Sequence, residues 1–403
     1  CRAAALVGGL FDGFTVIVDG KEGPRYEDIR EETPVFSPNG LALAYCAKKD
    51  GKWRWVINGI EGPIFEKLTP TSFTFSADGK RHAYVARPGF RRNVLVVDGE
   101  VVAGGEIGKP IPFDAAPAFS PDGSRLAYVE EMPGDRTERV NLDGKPGAWT
   151  SGIGRRLSMG FGADPVDGGI SNRPRPAEFS WVFSADSKHF AYTEFVGKRR
   201  RKVIDGVTTP LYERIGVDFA FAPDGSDYAY MIADSRNQLS IVRCEAEPLP
   251  IDSIADGTLM FSPDGSCLAF GGMRDGKDAV WVDGKAAPVD IPARNHCALY
   301  FSPDSKRIAY SVIGEGLSDR HWVVDGTAGA GAPTNERFNF SPDSAHYCYL
   351  LRLEGGRIGI VVDGELRASH PMAQVAAFRT DGSLEYLASD EDRQLFRFRV
   401  TGF

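Results

Sequence analysis

The chain has 403 residues, which is long for one ordinary domain and leaves two domains or a repeat array. Hydrophobic residues make up 42% and charged residues 25%, the balance of a cored protein, and 46 glycines with 26 prolines imply many tight turns. A net charge of −8 argues against nucleic acid, and the longest apolar run is about half the roughly 20 residues of a membrane span.

In chain order, the first 12 residues read as a tether or an extra strand, and a repeat then begins. Its motif is Phe36-Ser37-Pro38-Asn39-Gly40, and eight further copies start at Phe75, Phe119, Phe183, Phe221, Phe261, Phe301, Phe340 and Phe378. The period is near 40 residues with one long interval, the pattern of stacked supersecondary units. Proline presets φ at the second turn position, aspartate bonds back to the backbone, and glycine accepts positive φ. Each turn therefore joins two strands. The second strand carries a small residue before an aromatic one, as in Ala44-Tyr45, Ala83-Tyr84, Ala269-Phe270 and Cys348-Tyr349. A third strand ends in Asp-Gly, a strong hairpin signal, as at Asp19-Gly20, Asp98-Gly99 and Asp363-Gly364. A short fourth strand, exemplified by residues 25–29, is expected to lead into the next motif.

Four short antiparallel strands per unit, with period-two alternation and no helical pattern, predict an all-β fold of four-stranded propeller blades. One large β-propeller over residues 13–403 is expected, with nine blades preferred over eight or ten. Residues 16–29 and 376–389 would together make the blade that closes the ring from both termini. The long interval is an insertion at about residues 145–176.

The Phe-Ser-Pro-Asp-Gly, Leu-Ala-Tyr and Val-Val-Asp-Gly series resembles the WD-like repeats of the Tol–Pal system's periplasmic TolB propeller and of prolyl-oligopeptidase propeller domains. The resemblance covers nearly the whole chain and implies the fold. It implies little about function, because the motif residues make turns and core.

An N-terminal Cys1 resembles the lipidated cysteine of bacterial lipoproteins, which would place the chain outside the cytoplasm, in the periplasm or at the cell surface, with lipid attachment to a membrane. Cys46, Cys244, Cys267, Cys297 and Cys348 cannot all pair and read as small hydrophobes. No histidine or cysteine spacing supports a metal, the turn aspartates stand alone without the density that calcium needs, and no cofactor is expected.

Two charged features remain. Glu32, Asp114, Glu178, Asp218, Asp256 and Glu336 precede motif phenylalanines, and with His296 they are candidates for a channel mouth. Lys198, Arg199, Arg200, Arg201 and Lys202 form a basic hairpin that, with Arg155 and Arg156 of the insertion, is a candidate partner-binding patch. The preferred reading is a non-enzymatic, protein-binding scaffold, an accessory subunit of a larger complex. The alternative is a carbohydrate- or peptide-processing propeller enzyme whose site gathers His296 and carboxylates.

Overall fold

The computed structural model describes residues 3–9, 13–89, 92–104, 111–112, 116–132, 137–153, 155–156, 178–179, 181–244, 246–255, 257–288, 298–313, 320–329, 332–390 and 394–402. The protein is all-β, and its sheets are antiparallel blades of the β-propeller type. Ten such sheets lie among the described residues, together with a two-stranded ribbon, Arg155–Arg156 with Glu178–Phe179. Numbering blades in chain order, blade 1 lacks the motif, and blades 2 to 10 carry Phe36, Phe75, Phe119, Phe183, Phe221, Phe261, Phe301, Phe340 and Phe378 in turn. The chain forms two compact units: blades 1–5 belong to one and blades 6–10 to the other.

The two terminal sheets differ from the expected shared blade. Ala4–Gly9 pairs residue for residue with Gly13–Val18, which pairs with Lys21–Glu22. Met372–Phe378, Leu384–Ser389 and Leu395–Val400 form a separate three-stranded sheet. Each terminus thus finds its partner in an adjacent hairpin. Closing so short a loop costs far less chain entropy than joining strands from opposite ends of the sequence. Ala4–Gly9 is therefore the extra strand, and nine shared-end blades are not what the pairings give.

The fourth strand is also displaced from the expected position. Lys21–Glu22, Ile60–Glu61, Val207–Thr208 and Glu365–His370 follow their Asn-Gly or Asp-Gly turns directly and pair back on the third strand. Both turn residues have positive φ (Asp98 52° and Gly99 89°), the type I′ geometry that matches strand twist. Asp28–Ile29 instead pairs with Lys48 and Ala47 of blade 2, as does Val35–Phe36 with its second strand. The first strand is thus broken in two. At the break a hydroxyl three residues before the motif Phe replaces the missing ladder bond. Thr33 donates to Arg30 O and accepts from Cys46 N, and Ser72 and Thr258 do the same in blades 3 and 7.

Packing explains the small-then-aromatic pair. Ala44, Ala83, Ala127, Ala191, Ala229, Ala269, Ala309 and Cys348 are all fully buried, facing one neighbour, and the aromatic residue after each faces the other way. In blades 8 and 9, Ala309, Trp322 and Val324 meet Phe338, Tyr349 and Leu351. The Tyr349 hydroxyl comes so close to Gly329, directly after the fourth strand of blade 8, that a Cβ there would lie 2.5 Å from it. Gly23, Gly62 and Gly147, each three residues after a turn glycine, sit against the next blade's tyrosine hydroxyl in the same way. Gly329→Ala should therefore lower stability by about 1–3 kcal/mol through overpacking. Combining it with Tyr349→Phe should recover most of that loss in denaturant unfolding, and an additive double variant would refute the contact.

Candidate functional site

The most elaborate polar construction in the chain joins the motif turn, the Asp-Gly turn and the following blade. In the six motifs that carry both serine and aspartate the buried serine hydroxyl donates to the turn carboxylate, as Ser76 to Asp78 Oδ1 at 2.6 Å and Ser302 to Asp304 at 2.6 Å. The same serine accepts the backbone N–H five residues on, as from Arg81 at 3.0 Å. Where serine replaces the turn glycine, it holds positive φ (Ser187 64°, Ser305 65°, Ser344 64°). Its hydroxyl then accepts the turn aspartate N–H of the preceding blade, at 3.0, 2.9 and 3.0 Å. That bond offsets a backbone conformation that costs a non-glycine residue free energy.

The residue six after the motif Phe completes a latch between blades. Arg81 pairs with Asp98 of its own Asp-Gly turn at 3.0 Å, lies 4.9 Å over the Phe119 ring of blade 4, and donates to Gly123 O at 3.0 Å. Arg125 repeats this with Asp143, Phe183 and Lys188 O, and Arg307 with Asp325, Phe340 and Ala345 O. The turn aspartate has a second duty, because its other oxygen accepts the N–H that opens the second strand, as Asp98 does from His82 at 2.8 Å. His189 and His346 occupy the arginine position in blades 5 and 9, bonded to Asp205 and Asp363 at 2.7 and 2.6 Å.

Exceptions follow the same chemistry. Blade 2 has Ala42 in place of the arginine, and its turn carries Asn58, which still accepts Leu43 N–H but needs no charge. Blade 6 has Asp227 there, and the cation moves to the third strand. Arg243 pairs with Asp227 at 2.7 Å, reaches Asp283 of blade 7 at 3.1 Å and covers Phe261 at 5.3 Å. Asp283 thus keeps a guanidinium partner although its own blade offers only Cys267. These compensations are written in the sequence as paired departures from the repeat, a signal that turn chemistry alone does not expose.

The expected basic hairpin is only partly a surface feature. Its tip is at Gly197-Lys198, and Arg199–Ile204 is the third strand of blade 5, paired with Phe190–Val196. Lys198 and Arg199 are exposed, and Arg200 lies 4.9 Å over the Phe195 ring. Arg201 bonds the buried Glu194 at 2.5 Å, and Lys202 is itself buried. The five cations therefore do not form one solvated patch, because the strand runs from an exposed tip into the body of the blade, where Lys202 is buried. Arg155 and Arg156 lie on the ribbon strand. Their side chains, like those of Glu178 on the same ribbon, Asp218 in Arg214–Phe221 and Glu336 in Ala332–Phe340, lie outside the described residues. Cys1, Asp114, Asp256 and His296 lie outside them altogether, as do residues 157–177 of the insertion, while Lys145–Pro146 is the regular fourth strand of blade 4. Glu32 is exposed at the first-strand break of blade 2. Cys46 and Cys348 are fully buried, and burial pushes the Cys46 thiol up to about 12, so neither is a nucleophile at neutral pH. Among the described residues no group of three metal-ligating side chains converges.

No protein-family model and no curated protein sequence matches the chain. Among solved structures it is similar to a crystal structure of the eukaryotic initiation factor, at 13% identity over 94% of this chain and 87% of that one, TM-score 0.48. It is similar to TolB from Acinetobacter baumannii at 17% identity, over 72% and 79% of the two chains, TM-score 0.31. It is also similar to prolyl oligopeptidase B from Galerina marginata at 13% identity, over 81% and 56%, TM-score 0.32. These are likenesses of fold at low scores, and the blade assignment rests on the strand pairings.

Two outcomes follow. The Ser262 hydroxyl, first, and then the Ser266 N–H hold the Asp264 carboxyl at about 2, below its ordinary value. A depressed folded pKa contributes stability above the unfolded value of about 3.9 that disappears as pH falls toward 2. Melting temperature should be flat near neutrality and fall across that window, and Asp264→Asn should be less stable at pH 7 and lose less on acidification. In the basic strand, Arg201→Ser should cost about 2–3 kcal/mol by orphaning the buried Glu194, whereas Lys198→Ser should change stability by less than about 0.5 kcal/mol. Equal effects in thermal unfolding would contradict this division.

Proposed function

We propose that this chain is a non-enzymatic protein-binding scaffold, an accessory component acting outside the cytoplasm as its Tol–Pal-like repeat implies. The observation that carries the reading is a set of exposed aliphatic side chains on the fourth strands. Ile60 and Val207, each directly after the turn glycine, are 74% and 72% exposed, and Val101, Val102 and Leu366 are more than half exposed. Those positions serve no blade core and no turn, and isoleucine and valine gain nothing there from water. Aliphatic residues on an outer strand supply the apolar centre of a contact, ringed by the polar turn residues beside them. The repeated carboxylates and guanidinium groups, by contrast, are engaged in turns and latches, where they give rigidity. A rigid frame with variable outer strands suits recognition.

Affinity capture with chemical cross-linking from the native envelope fraction should recover a stoichiometric partner. A triple variant Ile60→Ser, Val101→Ser, Val207→Ser should fold with unchanged melting temperature and lose that partner. Capture unaffected by the triple variant, or turnover of a polysaccharide or peptide substrate by the purified chain, would overturn the proposal.

A further inference from the structure

Blade 2 differs from the blades after it at one end, where its motif turn and its Asn-Gly turn lie together. Five positions at this end tend to carry charge in the repeat. They are the third, fifth and sixth residues after the motif Phe, the first turn residue after the third strand, and the residue two beyond it. In blade 3 these are Asp78, Lys80, Arg81, Asp98 and Glu100, and each of blades 3 to 9 has at least two charged side chains among its five. In blade 2 they are Asn39, Leu41, Ala42, Asn58 and Ile60, and none is charged. The carboxylate that follows, Glu61, is held by Lys49 and Arg54 at 3.3 and 2.5 Å.

The charge is gone but the hydrogen bonds of the repeat are kept. Asn39 Oδ1 accepts the Ser37 hydroxyl at 2.7 Å and Leu41 N–H at 3.0 Å, the two bonds that a turn aspartate makes. Its amide nitrogen, which an aspartate lacks, donates to Asp78 O of blade 3, a neutral tie across a seam where other blades use an arginine. Asn58 Oδ1 accepts Leu43 N–H at 2.9 Å, as Asp98 accepts that of His82. With Ala42 the blade also forgoes the latch ion pair, and its seam to blade 3 is filled by the cluster of Trp53, Trp55, Phe65 and Tyr84. Leu41 stands where blades 3, 5 and 8 have lysine, so an ionic side chain serves that turn equally well. Yet Leu41 is 72% exposed and Ile60, at the same end, 74%. Charge returns on both flanks, with Asp19 and Lys21 on blade 1 and the Asp78–Lys80 pair on blade 3.

We propose that the turn end of blade 2 is the centre of the protein contact and takes an uncharged, apolar segment of the partner. This inference rests on the scaffold reading and gives that reading a place and a chemistry. The core of an interface is depleted of charge and its rim is polar, which is the order of residues outward from Leu41 and Ile60. Each flank holds both signs of charge, so approach gains little from long-range attraction and affinity comes from apolar burial. A second copy of this chain fits worse. A stable contact buries about 800 Å² on each partner, which would carry a two-fold contact onto the charged flanks of blades 1 and 3 in both copies. Each copy also has a net charge of −8.

The test puts a photo-crosslinking amino acid, benzoylphenylalanine, into the full chain at position 41, 60 or 207, in its native cells. Positions 41 and 60 should give adducts to one and the same protein, with a yield that does not fall as salt rises, because no charge is there to be screened. With the cross-linker at position 60, Leu41→Lys should lower the yield at least about tenfold, since an ammonium group would have to be desolvated against apolar surface. Ala42→Arg with Asn58→Asp, which restores the latch charges, should lower the yield while melting temperature holds or rises. A partner adduct from position 207 but from neither 41 nor 60 would overturn this site and leave the scaffold reading standing. Adducts from none of the three would overturn both. Adducts to lipid, or to a second copy of the chain, would also overturn the proposal and assign the end to a membrane or to self-association. So would a yield that falls steeply with salt, or one that Leu41→Lys leaves unchanged.

Discussion

The guanidinium latch is the interaction that fixes one blade against the next at the junctions of blades 3–4, 4–5, 6–7 and 8–9. A single arginine divides its donors and its flat face between two blades: an ion pair from Nε on its own side, a carbonyl bonded by Nη1 and a phenylalanine ring on the other. Arginine suits this because it is planar, permanently charged and weakly hydrated, whereas lysine could supply the charge but not the stacking. The aspartate that receives it is already fixed by a positive-φ turn and by the N–H that opens the second strand. The latch therefore adds little conformational cost beyond what the turns have met. Hydrophobic packing between sheet faces supplies the bulk of the attraction, but packing alone tolerates sliding. The latch sets the register.

This explains the distribution of polar groups across the chain. Serine hydroxyls beneath the motif turns are buried and fully engaged, and hydroxyls at the first-strand breaks stand in for lost ladder bonds. Polar side chains are used wherever the backbone would otherwise be left unsatisfied, and the aliphatic residues left outside are the ones with no structural duty. Separation of the two classes is what permits a functional reading of the outer strands.

The blade pattern was legible in the sequence because each element carries its own local signal: alternation for strands, Pro-Asp-Gly and Asp-Gly for turns, and a small residue where sheets approach. At the N-terminal end the sequence leaves two readings open for a physical reason. Ala4–Gly9 has a short, glycine-rich alternation that reads equally as a tether, and only its register with Gly13–Val18 decides between them. The fourth strand was misplaced because two-residue strands such as Lys21–Glu22 have no periodicity to read. For the candidate site, residue type was a poor guide to exposure. The run Lys198–Lys202 looks like one solvated patch in composition, yet the strand carries its last member into the blade, where it is buried, and its fourth is paired with Glu194.

Within each unit, every latch ties one blade to the next and to no other. A module whose couplings reach only its immediate neighbours can be duplicated or deleted without redesigning the rest, provided the new junction presents an arginine, an aspartate turn and a phenylalanine in order. Blade 6 shows how such a junction tolerates substitution: an acid stands in the arginine position, the third strand supplies the base, and the junction to blade 7 is intact. Repeat number in this architecture is thus open to change by gene duplication, with selection acting one seam at a time.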